Sequence, residues 1–369
     1  MKNNHVTTLE IDLNAVDFNL NFFKSKLKKT TKVLVVVKAF GYGSSAIEIA
    51  KHVAHKVDYF AVAYANEGIA LRDCGITKPI LVLHPQSINL SKLIEYKLEP
   101  NIYSEKILSE FISVLKKEKK QNYPIHLKFN TGLNRLGFSE RNIDLVINSI
   151  KKSDEVKVAS LFSHIAASED LNEKEFTLQQ IATFNAISKK MIEKLGYTPM
   201  KHMLNTSGII NYSNEAQFDM VRLGIGLFGF ANQTDITKTL RNALQLKSVI
   251  SQIHIIKKGE TVGYNRAFKA EKTIKTATVP IGHADGISRQ LGNGKGYVYI
   301  KNKKAFIVGN VCMDMIMVNI SDIHCKEGDE VIVYKNQQHI NTLAKISNTI
   351  SYELLTALSQ RVKRALKKH

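Results

Sequence analysis

Several polar residues in the first 225 positions come directly after short apolar runs, and the first of them is Lys38. It follows Val33–Val37, a run of β-branched and apolar residues that is typical of a strand buried on both faces. Desolvation lowers the pKa of an amine, and the neutral amine is the form that attacks an aldehyde. The alternative is a lysine that extends from the strand end to water. Lys38 is therefore a candidate to hold an aldehyde cofactor covalently.

The other residues of this kind follow later apolar runs. A hydroxyl and the backbone N–H groups of Gly224-Ile225 can hold a phosphate, and an arginine facing a pyridine nitrogen would leave that nitrogen unprotonated, which favours simple proton exchange. Taken singly, the histidines could be satisfied core residues, the arginine part of an ion pair, and the asparagine and threonine helix caps. These residues are Lys128, His164, His202, Asn205, Thr206 and Arg222.

Eight apolar runs alternate with segments of helical periodicity in the first 225 residues. Such alternation predicts parallel βα units, and eight of them predict an α/β fold of the (β/α)8 barrel type. Active sites of such barrels lie at the carboxyl ends of the strands, where the polar residues above would meet. The predicted strands are 33–37, 59–63, 80–83, 100–103, 125–130, 158–164, 200–206 and 219–224.

The pattern changes after about Leu246. Alternating apolar residues with glycine and aspartate turns predict a mostly β C-terminal domain, closed by a helix over 346–367. We therefore predict three parts of the chain: an N-terminal strand at 1–8 associated with the C-terminal domain, a barrel at 9–235, and the β domain at 236–369. The predicted strands of the β domain are 248–256, 277–281, 297–300, 305–311, 315–320 and 330–334.

Composition excludes several classes of protein. The net charge of +19 comes from lysines scattered over predicted helical faces without interleaved aromatics, which favours a solvated surface over a nucleic-acid site. Cys74, Cys312 and Cys325 are widely spaced, which argues against disulfides and a zinc site. With no run of 18 apolar residues and no export signal, we expect a cytoplasmic protein that binds neither membranes nor metals.

Nine short motifs occur in one order along nearly the whole chain. From Leu9 to about Arg364 the chain resembles the alanine racemases, fold-type III enzymes that use pyridoxal phosphate. The motifs are Val36-Val37-Lys38-Ala39 with Tyr42-Gly43, Lys128 to Gly137, Ser163-His164, His202 to Ser207, Val221 to Ile225, Gly263-Tyr264, Ile281 to Gly286, Val311 to Asp314, and Thr349 to Glu353.

The resemblance implies a catalytic pair. Lys38 would bind the cofactor aldehyde and act as the base on one face of the substrate α-carbon, and Tyr264 of the partner subunit would act on the opposite face. Racemisation by two bases needs one proton donor and acceptor on each face. From its residues alone, Tyr264 is an aromatic in a glycine-punctuated turn. The implied enzyme is a head-to-tail homodimer that interconverts L- and D-alanine.

The resemblance also implies the residues that surround the cofactor. Arg222, supported by His202, would face the pyridine nitrogen, and His164 would lie near the ring. Arg135 would meet the phenolic oxygen and the substrate, braced by Lys128, which is carbamylated in many relatives. The phosphate would be held by Tyr42, Thr206, Gly224, Ile225 and Tyr352, with Asn205 as a further cofactor-binding residue.

The resemblance also implies residues on the substrate side of the site, where this sequence departs from the commoner family pattern. The backbone of the partner's Met313 would meet the substrate carboxylate, with Asp314 and His283 as supporting residues. His283 stands where many members carry tyrosine at the active-site entrance, which leaves the breadth of substrates open. Asn130, Thr206, the Phe40-Gly41 pair and Asn310 also depart from the commoner residues of the family.

The resemblance predicts a bacterial enzyme that supplies D-alanine for peptidoglycan. The alternatives within the fold are a racemase of serine, lysine or a broader range of amino acids, and a decarboxylase, against which Arg222 argues. A non-catalytic cofactor carrier of the same barrel type is a further alternative, against which the second domain and Tyr264 argue. A nucleic-acid binder would rest on the net charge alone.

Overall fold

The first part of the chain folds as a closed barrel of eight parallel strands in a computed structural model that describes residues 5–367. The barrel closes where the first barrel strand pairs with the last, with Lys32 opposite Met220. The strands are β1 Thr8–Ile11, which lies outside the barrel, and β2 Lys32–Val36, β3 Tyr59–Val62, β4 Ile80–Val82, β5 Glu99–Ile102, β6 Tyr123–Lys128, β7 Val156–Phe162, β8 Met200–His202 and β9 Met220–Leu223.

Helices cover the outside of the barrel with their apolar faces turned inward. The first buries Val16, Leu20 and Phe23, and Asp12 caps it by accepting from the backbone N–H of Ala15 at 2.9 Å. The helices of this part are α1 Leu13–Ser25, α2 Lys38–Tyr42, α3 Ala46–Val53, α4 Ala65–Asp73, α5 Leu90–Glu95, α6 Glu105–Lys117, α7 Ile143–Lys151, α8 Lys174–Leu195, α9 Thr206–Asn211, α10 Ser213–Ala216 and α11 Thr234–Thr239.

The short element α2 is a left-handed turn. Every residue from Ala39 to Gly43 has a positive φ, between 52° and 80°, which is uncommon for residues other than glycine. The end of the chain clamps the turn: the Arg364 guanidinium donates to the carbonyl oxygen of Gly43 at 2.7 and 3.1 Å. A Cβ at Gly43 would lie 1.9 Å from the carbonyl oxygen of Leu355, so only glycine fits at this position.

The second part of the chain forms a nine-stranded sheet with the order β11-β14-β17-β16-β15-β18-β10-β1-β19. Two helices, α12 Gln337–Ile346 and α13 Ser351–Thr356, pack between the sheet and the barrel end. The strands of this part are β10 Leu244–Val249, β11 Gln252–Ile256, β12 Thr261–Val262, β13 Phe268–Lys269, β14 Ile274–Val279, β15 Tyr297–Ile300, β16 Lys303–Val308, β17 Ile316–Asn319, β18 Glu330–Tyr334 and β19 Lys363–Leu366.

The predicted (β/α)8 barrel followed by a mostly β domain is confirmed, but the predicted closing helix over 346–367 is wrong. Helix α12 ends before Asn348, whose φ of 53° interrupts the helix, and α13 is short. The last segment is a strand because it pairs in parallel with β1, with Thr8 opposite Lys363.

The N-terminal strand lies later than the predicted 1–8. Strand β1 has Leu9 and Ile11 fully buried and pairs with β10 on one side and β19 on the other. Residues 1–4 lie outside the described residues. The division of the chain at 8/9 and 235/236 stays a prediction.

Candidate active site

A cavity of about 590 Å³ lies at the carboxyl ends of the barrel strands, where the sequence predicted a site. This volume is within the range of small-molecule sites. Residues from the first barrel strand, the later strand exits and α13 all reach it. The residues that line it are Val36, Lys38, Tyr42, Ala63, Tyr64, Leu83, His84, Lys128, Arg135, Leu136, Phe162, His164, Asn205, Thr206, Arg222, Gly224, Ile225 and Tyr352.

The lining is strongly cationic. It includes Lys38, Lys128, Arg135 and Arg222, and no aspartate or glutamate is among the lining residues of the described chain. Burial and the Arg135 guanidinium lower the pKa of the Lys38 amine. The same two causes lower the pKa of Lys128 to about 8. Such a cavity fits an anionic ligand and holds amines that lose their protons easily.

Arg222 is the most constrained of the four cations. Its Nη1 donates to Nδ1 of His202 at 2.7 Å, and its Nη2 donates to the carbonyl oxygens of Ser163 and Met203, each at 2.8 Å. A further contact at 3.0 Å joins Nη2 to Nδ1 of His164. Burial lowers the pKa of Arg222 to about 9, and burial beside Arg222 holds the pKa of both histidines well below 6.5. Both imidazoles are therefore neutral acceptors.

Another part of the cavity lining is a cradle of small groups. The Thr206 hydroxyl accepts from the backbone N–H groups of Gly224 at 3.2 Å and Gly226 at 3.4 Å. A Cβ at Gly224 would lie 2.3 Å from the Tyr42 hydroxyl oxygen, so the absence of a side chain keeps this space open. Tyr42 packs against Tyr352 of α13, with ring centroids 6.1 Å apart.

The residues present fit pyridoxal phosphate. The cradle offers hydroxyls and backbone N–H groups to a phosphate, and Lys38 offers an amine with a lowered pKa to an aldehyde. The cations match the negative charge of the group, and Arg222 supplies a donor where an unprotonated ring nitrogen would accept. Asn205 has a structural task as well, since it caps α9 by accepting from the backbone N–H of Gly208 at 2.8 Å.

Glu67 supports the cavity from outside the lining and was missed in the sequence analysis. Its carboxylate accepts from the backbone N–H of Ala39 at 2.7 Å and of Ala63 at 2.6 Å, so it ties the turn after β2 to the end of β3. It is also the one described charge that raises the pKa of Lys38, against the larger lowering causes. Its position in the first turn of α4 was the available signal.

Tyr264 and Met313 do not line the cavity of their own described chain, 5–367. Their exposed fractions are 72% and 59%, and they lie on the C-terminal domain. Asn310 links their segments, because its side-chain amide donates to the carbonyl oxygen of Tyr264 at 3.2 Å. The backbone N–H of Ala284 donates to the carbonyl oxygen of Met313 at 3.0 Å. The second-domain motifs therefore meet on one surface.

His283 and Asp314 belong to the same surface. The His283 backbone N–H donates to the carbonyl oxygen of Cys312 at 2.9 Å. The Arg361 guanidinium bridges Asp285 and Asp314, with a contact of 2.6 Å to each carboxylate. This pair of contacts holds the loop that carries Met313 against the last part of the chain.

Comparisons with known proteins agree with this geometry. Residues 11–232 match the model of the alanine racemase N-terminal domain, and residues 243–366 match that of the C-terminal domain. Alanine racemase 2 of Bacillus subtilis (strain 168) is 35% identical over 374 residues, covering 96% of this chain and 93% of the relative.

Solved structures give the same result. The alanine racemase of Clostridium difficile 630 is 34% identical with a TM-score of 0.89, covering 97% of this chain and 94% of that one. The alanine racemase of Bartonella henselae, solved with covalently bound pyridoxal phosphate, is 26% identical with a TM-score of 0.87, covering 98% and 99%. The predicted resemblance is confirmed, and the chain belongs to the alanine racemase family of pyridoxal-phosphate enzymes.

Proposed function

We propose that this protein interconverts L- and D-alanine with pyridoxal phosphate held in the barrel cavity. The observation that carries the proposal is the environment of Lys38. Its amine lies in a cationic cavity that favours loss of its proton, and the same lining includes a cradle suited to a phosphate. Membership of the alanine racemase family and the cofactor in the Bartonella henselae structure support the same reading.

Each part of the cavity has a task toward the cofactor. Lys38 binds its aldehyde carbon, and Arg222, oriented by His202 and His164, donates toward its ring nitrogen. Arg135 meets its phenolic oxygen, braced by Lys128. The bound cofactor draws electron density from the substrate α-carbon and so acidifies the proton there. The phosphate is held by Tyr42, Thr206, Gly224, Ile225 and Tyr352, with Asn205 as a further cofactor-binding residue.

Racemisation then needs one proton donor and acceptor on each face of the α-carbon. The Lys38 Nζ takes or gives the proton on one face, and its lowered pKa suits both tasks. The hydroxyl of Tyr264 does the same on the other face. Because Tyr264 is exposed and lies outside its own cavity, we assign it to the cavity of a second subunit.

The proposed assembly is a head-to-tail homodimer with two shared sites. The partner's Tyr264 and the partner's Met313 would enter each cavity together, since their loops meet on one exposed surface. The backbone of Met313 would meet the substrate carboxylate, with His283 at the entrance and Asp314 fixing the loop through Arg361. The exposed side chains of Tyr264, Met313 and Met315 give this surface apolar groups that such an interface would cover.

The proposed product D-alanine serves peptidoglycan synthesis, which places the enzyme in the bacterial cytoplasm. The organisms of the relatives above are bacteria. Within residues 5–367, no helix combines the length and apolar character that crossing a bilayer requires.

The test is proton NMR of L-alanine and, separately, D-alanine in heavy water with the purified protein and pyridoxal phosphate. We expect deuterium at the α-carbon and loss of optical purity from both enantiomers. Bound cofactor without exchange would replace the proposal with a carrier or with a racemase of another amino acid, for which serine and lysine are the first substrates to test. No bound cofactor at all would refute the site itself.

A further inference from the structure

Five polar side chains cross the interior of the barrel, one from each of five consecutive strands. Barrel interiors are usually filled by layers of branched apolar residues, so buried polar groups here carry a desolvation cost. His126, Ser160 and His202 are fully buried, and the side chain of Glu99 is 13% exposed. The five residues, which we call the barrel chain, are Glu99 of β5, His126 of β6, Ser160 of β7, His202 of β8 and Arg222 of β9.

Each member of the barrel chain is within hydrogen-bond distance of the next. Glu99 Oε2 lies 2.7 Å from His126 Nε2, and His126 Nδ1 lies 2.6 Å from Ser160 Oγ. Ser160 Oγ lies 2.9 Å from His202 Nε2, and His202 Nδ1 lies 2.7 Å from Arg222 Nη1. The barrel chain thus leads from Glu99, the first residue of β5, to Arg222 at the cavity, at the opposite end of the barrel.

The two ends fix the direction of every hydrogen bond. A guanidinium has only donors, so His202 Nδ1 must accept and His202 Nε2 carries the proton. That proton is donated to Ser160, whose own hydroxyl proton goes to His126 Nδ1. The remaining His126 nitrogen then carries its proton toward Glu99, and an ionised carboxylate has only acceptors. One arrangement of protons satisfies all five groups with both histidines neutral.

Further polar groups lie around Glu99 at this end of the barrel. Burial, followed by the nearby Glu99 charge, raises the pKa of Tyr59, so the phenol keeps its proton. Two further charged groups lie at this end of the barrel. Asp58 also raises the pKa of Tyr59, and Arg72 lies within electrostatic range of Glu99.

A contribution to the stability of the fold does not by itself explain the barrel chain. Well-packed apolar residues of similar volume are often as stabilising as a buried polar network, whereas a network with one member removed is costly. A satisfied network does, however, hold each side chain in one orientation and polarise each bond in the same direction. Arg222 is the member whose orientation matters for the site, because it is the one that lines the cavity.

We propose that Glu99, His126 and Ser160 are positioning residues for Arg222. Through His202 they hold the guanidinium in one orientation and partly compensate its charge from the far end of the barrel. The inference rests on the proposed function only for the statement that Arg222 faces the cofactor ring; the order of protons in the barrel chain is a property of the protein alone.

The first test is ¹⁵N NMR of the cofactor-loaded protein labelled at its 12 histidines. The resonances of His202 are assigned by their loss in His202→Gln. We expect neutral His126 and His202, each protonated at Nε2. Glu99→Gln should change the chemical shifts of His202. This change should disappear in the Ser160→Ala background, where the hydrogen bonds of the barrel chain are already interrupted. Asp17→Asn is the matched control, since Asp17 pairs with His52 at 3.0 Å outside the barrel chain.

The second test is kinetic and uses the same variants. Glu99→Gln and Ser160→Ala should each lower kcat about tenfold with little change in KM, and the double variant should match Ser160→Ala alone, because residues that act as a unit are not additive. Unchanged His202 resonances in Glu99→Gln overturn the proposal, even if Ser160→Ala fails to fold. The proposal is also overturned if Glu99→Gln shifts the His202 resonances equally in the wild-type and the Ser160→Ala background. If alanine is not racemised, the NMR result still decides on the barrel chain.

Discussion

Replacing Lys128 by methionine should stabilise this protein at neutral pH. Lys128 is 7% exposed, and burial together with Arg135, Arg222 and Lys38 lowers its pKa from 10.5 to about 8. Methionine keeps the length and apolar stem of the side chain but removes the charge that these surroundings disfavour. The change therefore tests whether the cationic cavity is held at a cost in stability.

The magnitude follows from the shift in pKa. At about 1.4 kcal/mol per unit, the protonated lysine costs the folded state about 3 kcal/mol at pH 7. The folded protein binds this proton less tightly than the unfolded chain does, so the cost is complete below pH 8 and fades as the pH rises toward 10.5. The gain from Lys128→Met should thus be about 3 kcal/mol at pH 7 and below about 1 kcal/mol at pH 10.

The assay is equilibrium urea unfolding of both proteins at pH 7 and pH 10, at one protein concentration and in buffer free of carbon dioxide. The control is Lys157→Met, the same change at an exposed lysine on the neighbouring strand β7. It should leave the free energy of unfolding within about 0.5 kcal/mol of wild type. A Lys128→Met protein that is no more stable at pH 7, or equally stabilised at both pH values, would refute the reasoning.

Four further outcomes are expected. Lys38→Ala should abolish racemisation in both directions together with the visible absorbance of bound cofactor. Tyr264→Phe should impair proton abstraction from L-alanine most; equal, mild losses in both directions would exclude the two-base assignment. Gly224→Ala should destabilise the fold by roughly 1–3 kcal/mol in thermal unfolding, because its Cβ would lie 2.3 Å from the Tyr42 oxygen, and Tyr42→Phe should relieve part of that loss. Carbon-13 bicarbonate should give a protein-bound carbonyl resonance that Lys128→Met removes, and a wild-type spectrum without it would exclude a carbamate.

Much of the fold could be predicted because strand and helix patterns alternate with little interruption. The five residues before Lys38, Val33 to Val37, are all apolar and buried, so their pattern could not be mistaken for a surface element. The polar residues at strand exits were found for the same reason, since the barrel brings all carboxyl ends of the strands to one side.

The predictions that failed or were not made concern segments whose structure depends on contacts between residues far apart in the sequence. The segment Lys363–Leu366 has helix-forming residues, but it becomes a strand because β1, more than 350 positions earlier, offers a free edge. Glu99, His126 and Ser160 belong to three neighbouring strands, and nothing in a local pattern indicates that their side chains are joined by hydrogen bonds. The role proposed for Tyr264 depends on a second subunit, so it could be expected only from the resemblance.

The clamp on the turn after Lys38 has a consequence during synthesis of the protein. The guanidinium nitrogens that hold the Gly43 carbonyl oxygen belong to Arg364, 321 residues later in the chain. At about 5–20 residues per second, the ribosome makes them roughly 20–60 s after Gly43. A nascent chain can close its barrel before then, but the turn after Lys38 is clamped only once Arg364 has been made. Capture of the proposed cofactor at Lys38 would therefore wait until translation has reached Arg364.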